Sequence, residues 1–99
     1  MGRVIVIGGG AAGMMAAGTA AQAGCDVILL EKNNRLGKKL LITGKGRCNL
    51  TNACEIEEVI DRFAGGGKFL YSALHAFPPV AAWQFFTDRG LELVVERGR

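Results

Sequence analysis

The sequence predicts an α/β fold that opens with two parallel strands joined by a helix. Residues 3–7 and 26–31 are short apolar segments rich in β-branched and aliphatic residues, which favours strands. Residues 11–23, rich in alanine and methionine, predict a helix of about 20 Å, long enough to cross back over a sheet. Clustered glycines between the first strand and this helix predict a tight turn. Because neither strand alternates apolar with polar residues, both are predicted to be buried on both faces.

The rest of the chain predicts a loop followed by helices. Two prolines separate the last two helices, and the second proline suits the first turn of a helix. An open parallel sheet this small leaves apolar faces uncovered. Residues 1–99 are therefore expected to be an incomplete domain, the N-terminal part of a longer one. The predicted elements are a basic, glycine-rich loop at 32–54 with a short helix around 36–41 as an alternative, helices at 55–62, 69–77 and 80–89, and a third strand at 91–96.

Composition excludes several classes of protein. The 99 residues are 49% hydrophobic and 21% charged, which is typical of one small globular domain. A net charge of +3 is too small to indicate nucleic-acid binding by itself. The three cysteines form no CxxC pair, so neither a secreted disulfide scaffold nor a zinc site is predicted, and a cytoplasmic location is expected.

The uncharged stretch between Arg3 and Asp26 is long enough to span a bilayer. Its residues nevertheless argue against a membrane helix or a signal peptide. Gly8, Gly9 and Gly10 would interrupt such a helix in the middle, and the β-branched residues before them prefer a strand. We therefore expect no membrane segment here.

The turn after the first strand has the spacing Gly-x-Gly-x-x-Gly at Gly8, Gly10 and Gly13. A strand before this motif and a helix after it are the context of a dinucleotide-binding turn. Gly8 permits the sharp turn, Gly10 lets a pyrophosphate approach the backbone, and Gly13 lets the helix pack on the strand. Ala11 and Ala12 lie at the helix N-terminus, whose free N–H groups and positive dipole end face the phosphates.

Glu31 ends the second strand, 18 residues after Gly13. A carboxylate there is expected to accept hydrogen bonds from the hydroxyls of an adenosine ribose and to repel a 2′-phosphate, which disfavours NADP. Lys32, directly after it, weakens that preference. FAD and NAD both fit these residues, and a buried helix followed by a surface glutamate is the purely structural alternative.

The segment after Glu31 favours FAD. NAD-binding domains usually pass quickly into another strand–helix unit, whereas a long basic segment follows here. We expect it to cover the second half of an extended dinucleotide, with cations and N–H groups meeting phosphates. An ordinary solvated loop is one alternative; a nucleic-acid patch is another, disfavoured because the segment contains no aromatic residue. Its basic residues are Lys32, Arg35, Lys38, Lys39, Lys45 and Arg47.

Three stretches resemble the BaiN/YhiN-like flavoproteins, also described as the aminoacetone oxidase family. They are residues 4–17, residues 30–32, and residues 36–52, which contain Gly-Lys-Lys and Arg-Cys-Asn-Leu-Thr-Asn. The last stretch is the most specific. The resemblance implies an FAD-dependent oxidoreductase with a Rossmann-like FAD/NAD(P)-binding fold. It covers the whole chain, but only as the opening of a longer family protein.

The resemblance also implies roles for individual residues. Those of the glycine turn would hold the pyrophosphate, and Glu31 the ribose. Lys38, Thr43, Gly44 and Gly46 would line the diphosphate and ribityl chain. Arg47, Cys48 and Asn49 would approach the flavin ring. The residues expected to bind the cofactor are Gly8, Gly10, Ala11, Ala12, Gly13, Glu31, Lys32, Lys38, Thr43, Gly44, Gly46, Arg47, Cys48 and Asn49.

The substrate implied by the resemblance is a small molecule, either an unsaturated carbonyl compound or an amine. No nucleic-acid or membrane partner is expected. No catalytic acid or base is identified, and His75, the only histidine, argues against a metal cluster or a Ser-His-Asp triad. Cys48 and Cys54 lie six residues apart, which departs from the spacing in flavin disulfide reductases and argues against a redox pair.

The sequence is compatible with three hypotheses about function. The first is a flavin oxidoreductase with hydride transfer through the flavin. The second is an NAD-binding dehydrogenase or reductase. The third is a non-enzymatic protein that binds nucleic acid through a basic loop on an α/β scaffold.

Overall fold

The structure is a computed structural model that describes residues 2–46, 48–63 and 65–96, with the backbone alone for residues 45 and 46. The chain divides into two compact units, Met1–Asn49 and Leu50–Arg99. Their boundary lies inside the loop predicted at 32–54. Within the described residues, no helix has both the length and the apolar character needed to cross a membrane.

The first unit contains the predicted strand–helix–strand arrangement. Strand β1 spans Arg3–Ile7, helix α1 spans Ala11–Gln22, and strand β2 spans Asp26–Leu30. The two strands pair in parallel, with Arg3 opposite Asp26 at the start of the ladder. Helix α1 packs against both strands, which confirms the α/β class and the βαβ unit.

Helix α1 ends at Gln22, and a glycine follows its C-cap residue Ala23. Gly24 has a φ of 94°, a left-handed conformation that glycine adopts without a steric penalty. The N–H of Gly24 donates to the carbonyl of Ala21 at 3.0 Å, and that of Cys25 donates to the carbonyl of Ala20 at 3.1 Å. These bonds close the helix and direct the chain into β2.

The two faces of the sheet differ in exposure, and the prediction that both are buried is wrong. A half-buried face is formed by Val4, Val6, Val27 and Leu29. The side chains that alternate with them are exposed, and Ile7 reaches 83% exposure. A strand that is apolar throughout is buried on both sides only where a layer covers each face of its sheet. The exposed face is formed by Ile5, Ile7, Ile28 and Leu30.

The loop after β2 includes a 3₁₀ helix at Leu40–Gly46. The alternative that the sequence offered, a short helix around residues 36–41, therefore begins four residues too early. Residues 32–39 are bends and turns.

The second unit is helical. Helix α2 spans Ile56–Asp61, a 3₁₀ helix spans Gly67–Leu70, helix α3 spans Tyr71–Ala76 and helix α4 spans Pro79–Asp88. The three predicted helices are confirmed with ends shifted by one or two residues. Pro79 is the first residue of α4, where its missing N–H leaves no hydrogen bond unmade.

The third strand predicted at residues 91–96 is wrong. This stretch is irregular, and the N–H of Leu91 donates to the carbonyl of Phe86 at 3.1 Å, closing the end of α4. Val94 and Val95, whose β-branched side chains favoured the strand, are 80% and 57% exposed. A strand requires a neighbouring strand for its hydrogen bonds, and among the described residues the only ladder joins β1 to β2.

Candidate functional site

The glycine turn between β1 and α1 begins where both strands end. The N–H of Gly8 donates to the carbonyl of Leu30 at 2.8 Å, which continues the ladder one residue beyond β1. Gly8 has a φ of 99°, so a side chain there would be strained. A Cβ at Gly13 would overlap the carbonyl oxygen of Gly8. These two glycines are therefore required by the fold of the turn itself.

Gly10 differs from the other two glycines of the motif. A Cβ at this position would meet nothing within 4 Å, and its φ of −82° is open to any residue. The fold of this chain therefore does not require glycine at position 10. The open space beside its backbone is where the sequence predicts a pyrophosphate.

The N-terminus of α1 presents backbone N–H groups. The first hydrogen bond of the helix runs from the N–H of Met14 to the carbonyl of Gly10, at 2.9 Å. Ala11, Ala12 and Gly13 precede Met14, so their N–H groups have no carbonyl partner within the helix. No side chain caps this end, its first turn holds no acidic residue, and both alanines are exposed. The end is electropositive and open to an anion.

Gly9 connects this turn to the loop after β2. It is buried, and a Cβ there would lie 2.5 Å from Cδ2 of Leu36 and 3.2 Å from Oε1 of Glu31. The carbonyl of Gly9 accepts the N–H of Gly37 at 2.7 Å. Neither Gly9 nor Gly37 is among the residues predicted to bind the cofactor. The run of three consecutive glycines was the available signal for Gly9.

Glu31 is held by hydrogen bonds from both sides. Its Oε1 accepts the N–H of Gly9 at 2.6 Å. Its Oε2 accepts the N–H of Asn33 at 2.9 Å and Nδ2 of the same residue at 2.8 Å. Asn33 is also absent from the predicted site residues, because no sequence motif gives a signal for it.

These contacts keep the Glu31 carboxyl ionised. The N–H of Asn33, and after it the N–H of Gly9, hold the pKa of Glu31 below its ordinary value of 4.5. The Asn33 side chain and the charge of Lys32 act in the same direction, whereas partial desolvation opposes them. Glu31 is therefore an anionic acceptor at neutral pH, as required for contact with ribose hydroxyls.

Thr43, Gly44, Cys48 and Asn49 lie together in the second part of the loop. The carbonyl of Thr43 accepts the N–H of Cys48 at 3.3 Å, and its hydroxyl donates to the carbonyl of Leu40 at 2.9 Å. Gly44 has a φ of 61°, and a Cβ there would lie 3.0 Å from the backbone nitrogen of Asn49. Cys48 itself has a φ of 59°.

Two backbone hydrogen bonds connect this second part of the loop to the glycine turn. The N–H of Leu41 donates to the carbonyl of Gly37 at 3.1 Å, and Gly37 in turn donates to Gly9. The cations predicted here are exposed at Lys32, Arg35, Lys38 and Lys39. Gly46 ends the 3₁₀ helix; the side chain of Lys45 and all of Arg47 lie outside the described residues.

The other candidate side chains have ordinary environments. Nδ1 of His75 lies 2.9 Å from the carbonyl of Tyr71, one helical turn earlier, and the two rings have centroids 4.2 Å apart. Cys25, Cys48 and Cys54 are free thiols. Trp83, Phe85 and Phe86 are half-buried.

The donors and acceptors of the first unit fit the ADP part of a dinucleotide. Helix N–H groups suit the diphosphate oxygens, the Glu31 carboxylate suits the ribose hydroxyls, and the backbone at Gly10 is open to close approach.

Comparison with known proteins agrees with this geometry. Residues 2–99 match the family described as "HI0933-like protein Rossmann domain". The chain is 41% identical over 96 residues to the 3-dehydro-bile acid delta(4,6)-reductase of Clostridium scindens, a match that covers 92% of this chain and 22% of that protein. It is 50% and 42% identical over 48 residues to the ribosomal RNA dihydrouridine synthases of Escherichia coli and Haemophilus influenzae.

Each match to a synthase covers 48% of this chain and 12% of the synthase. The chain therefore spans less than a quarter of the length of each of the three relatives. The predicted resemblance to the BaiN/YhiN-like family and the Rossmann-like fold are both confirmed. The family match, together with the glycine turn and the parallel strands, shows that this chain belongs to the HI0933-like family of Rossmann-domain proteins.

Proposed function

We propose that this chain binds the ADP part of FAD and that the whole protein is an FAD-dependent oxidoreductase. The observation that carries the proposal is the 2.6 Å hydrogen bond from Gly9 to Oε1 of Glu31. It ties the acidic group at the end of β2 to the turn at the end of β1, so the ribose acceptor and the phosphate-binding helix end occupy one edge of the sheet. This is the arrangement that an adenosine diphosphate requires.

The first group of residues would bind the adenosine half. Ala11, Ala12 and Gly13 would donate their N–H groups to the diphosphate, with Gly8 shaping the turn and Gly10 leaving room for the oxygens. Glu31 would accept the ribose hydroxyls, with Lys32 beside it.

The second group would extend toward the flavin. Its members in the described part of the chain lie in one hydrogen-bonded loop joined to the glycine turn. The basic character of this loop and the family resemblance favour FAD over NAD. When bound, FAD would supply hydride transfer at its N5. The group comprises Lys38, Thr43, Gly44, Gly46, Arg47, Cys48 and Asn49.

The reaction we propose is reduction of a carbon–carbon double bond conjugated to a carbonyl group. The relative matched over 92% of this chain is named as a 3-dehydro-bile acid delta(4,6)-reductase, a name that describes reduction of double bonds at positions 4 and 6 of a bile acid with a ketone at position 3. The synthases make dihydrouridine, in which a ring double bond beside a carbonyl of uridine is saturated. We therefore propose reduction and not amine oxidation as the activity, with an unsaturated carbonyl compound as the small-molecule substrate.

Uridine within RNA is a second candidate substrate, and a specific observation favours it. Four exposed cations, Lys32, Arg35, Lys38 and Lys39, follow β2 and could meet a phosphate backbone. That no nucleic acid takes part remains our prediction, because the relative that matches most of this chain acts on a bile acid.

We propose a cytoplasmic location for the protein, since the cysteines in its described part are free thiols.

The experiment that tests this proposal uses the full-length protein. Its visible spectrum and the identity of the cofactor released on denaturation are recorded first; FAD supports the proposal, whereas a colourless protein that binds NADH contradicts it. The cofactor is then reduced without oxygen and mixed with either a steroid enone or unmodified ribosomal RNA. Rapid reoxidation by the enone alone supports the small-molecule substrate, and rapid reoxidation by the RNA alone overturns that choice.

A further inference from the structure

The Glu31 carboxylate uses its two oxygens unequally. Among the described residues, Oε2 accepts two hydrogen bonds, both from Asn33, and Oε1 accepts one, from Gly9. A carboxylate offers about four acceptor sites, two on each oxygen. Oε2 is therefore filled by protein donors, and the acceptor site that stays open is on Oε1, the oxygen beside the glycine turn.

Asn33 is suited to hold this arrangement. Its backbone N–H and its side-chain Nδ2 reach the same oxygen, at 2.9 and 2.8 Å, so the two donors fix the rotation of the carboxylate. Hydrogen bonds to an ionised acceptor are stronger than neutral ones. Asn33 itself is exposed, so its side chain is placed by this contact and not by packing in a core.

We propose that Asn33 is a positioning residue for the adenosine ribose: it occupies Oε2 of Glu31 and presents Oε1 to a ribose hydroxyl. The inference rests on the proposed function, because it assumes that an adenosine ribose binds at Glu31. Asn33 does not itself contact the cofactor in this arrangement. It lowers the cost of binding because the acceptor is already oriented before the ribose arrives.

The test compares Asn33→Ala with Asn34→Ala in the full-length protein freed of its cofactor. Asn34 is the next residue, is also exposed and is of the same type, but the described donors to Glu31 are Gly9 and Asn33. Each variant is titrated with FAD and with an FAD analogue that lacks the 2′-hydroxyl of the adenosine ribose. Quenching of flavin fluorescence gives the two dissociation constants.

The expected result is specific to the ribose. In the wild type and in Asn34→Ala, loss of the hydroxyl should weaken binding about tenfold. In Asn33→Ala, FAD itself should bind about tenfold more weakly, and loss of the hydroxyl should then matter less than about threefold. A role for Asn33 in folding alone would weaken both ligands equally and leave their ratio unchanged.

Asn33→Asp gives an independent measurement with a side chain of nearly the same shape. It replaces the Nδ2 donor by a carboxylate oxygen that repels Oε2, so FAD should bind more weakly than to Asn33→Ala. If both variants keep the wild-type ratio for the two ligands, the positioning role is wrong although FAD binding stands. If the wild type holds no FAD, the proposed function fails, and the role of Asn33 with it.

Discussion

Gly9 and Glu31 are joined by a hydrogen bond of 2.6 Å between the backbone N–H of the first and the carboxylate of the second. The bond links the two parallel strands at their carboxyl ends, beyond the last residue of each. In open α/β sheets the ligand lies at this edge. The site is therefore held together before any cofactor arrives, and its parts can be tested separately by substitution.

The close approach of Gly13 to Gly8 predicts a large effect of a single methyl group. Gly13→Ala should lower the free energy of unfolding by about 1–3 kcal/mol, because its Cβ would overlap a backbone carbonyl oxygen that cannot move without distorting the turn. Gly18→Ala in the same helix is the matched control, since its Cβ would meet nothing within 4 Å. The control should gain about 0.5–1 kcal/mol. Urea unfolding of both variants checks the prediction, and equal stabilities would contradict it.

Gly10→Ala should separate stability from binding. Its Cβ would enter open space, so the urea midpoint should stay close to that of the wild type. The same methyl group would occupy the space in which a pyrophosphate approaches the backbone, so we expect FAD affinity to fall at least about tenfold. Titration of the cofactor-free full-length protein measures this loss, with Gly18→Ala again as the control. Unchanged FAD affinity in Gly10→Ala would show that the phosphates lie elsewhere.

Glu31 predicts a dependence of stability on pH. Hydrogen bonds from Asn33 and Gly9 lower its pKa in the folded state below the ordinary value of 4.5. The stabilisation is therefore present above the ordinary pKa and is lost as pH falls through the lowered one. Lys32 is the charged neighbour that adds to the shift, so high salt should reduce part of it.

Urea unfolding between about pH 6 and about pH 3 measures this contribution. Glu31→Gln should unfold with a shallower loss of stability over that interval than the wild type. Glu57→Gln, which removes one negative charge from an exposed position in α2, controls for net charge. If the curves of Glu31→Gln and the wild type remain parallel, the carboxylate is not held as the structure describes.

Arg89 closes the end of α4 through two contacts with Phe85. Its guanidinium lies 3.6 Å from the centre of the ring, and Nη1 donates to the carbonyl of the same residue at 2.9 Å. Arg89→Ala should cost about 0.5–1 kcal/mol of stability in thermal unfolding. Arg89→Lys keeps the charge but loses the planar stacking, so it should recover only part of the loss. Wild-type stability in Arg89→Ala would refute this role.

Local patterns were sufficient for most of the fold. The β-branched residues before Gly8 and the alanines after it predict β1 and α1 without any knowledge of distant contacts, because strand and helix preferences are local. Gly24 and Pro79 likewise mark a helix end and a helix start at the positions the structure shows. The motif of three spaced glycines and a later acidic residue could also be recognised from the sequence, because it is defined by residue types at fixed spacings.

What local patterns could not decide depends on partners distant in the chain. Val94 and Val95 have side chains that suit a strand, but a strand exists only where another edge accepts its hydrogen bonds. Whether Ile5 and Ile28 are buried depends on which layers cover the sheet, and not on the residues themselves. The contacts of Gly9 with Gly37 and with Glu31 arise only when β1 and β2 lie side by side, because pairing the strands brings their carboxyl ends to one edge. The sequence determines which groups can bind a dinucleotide, and the tertiary structure alone decides which of them are oriented to do so.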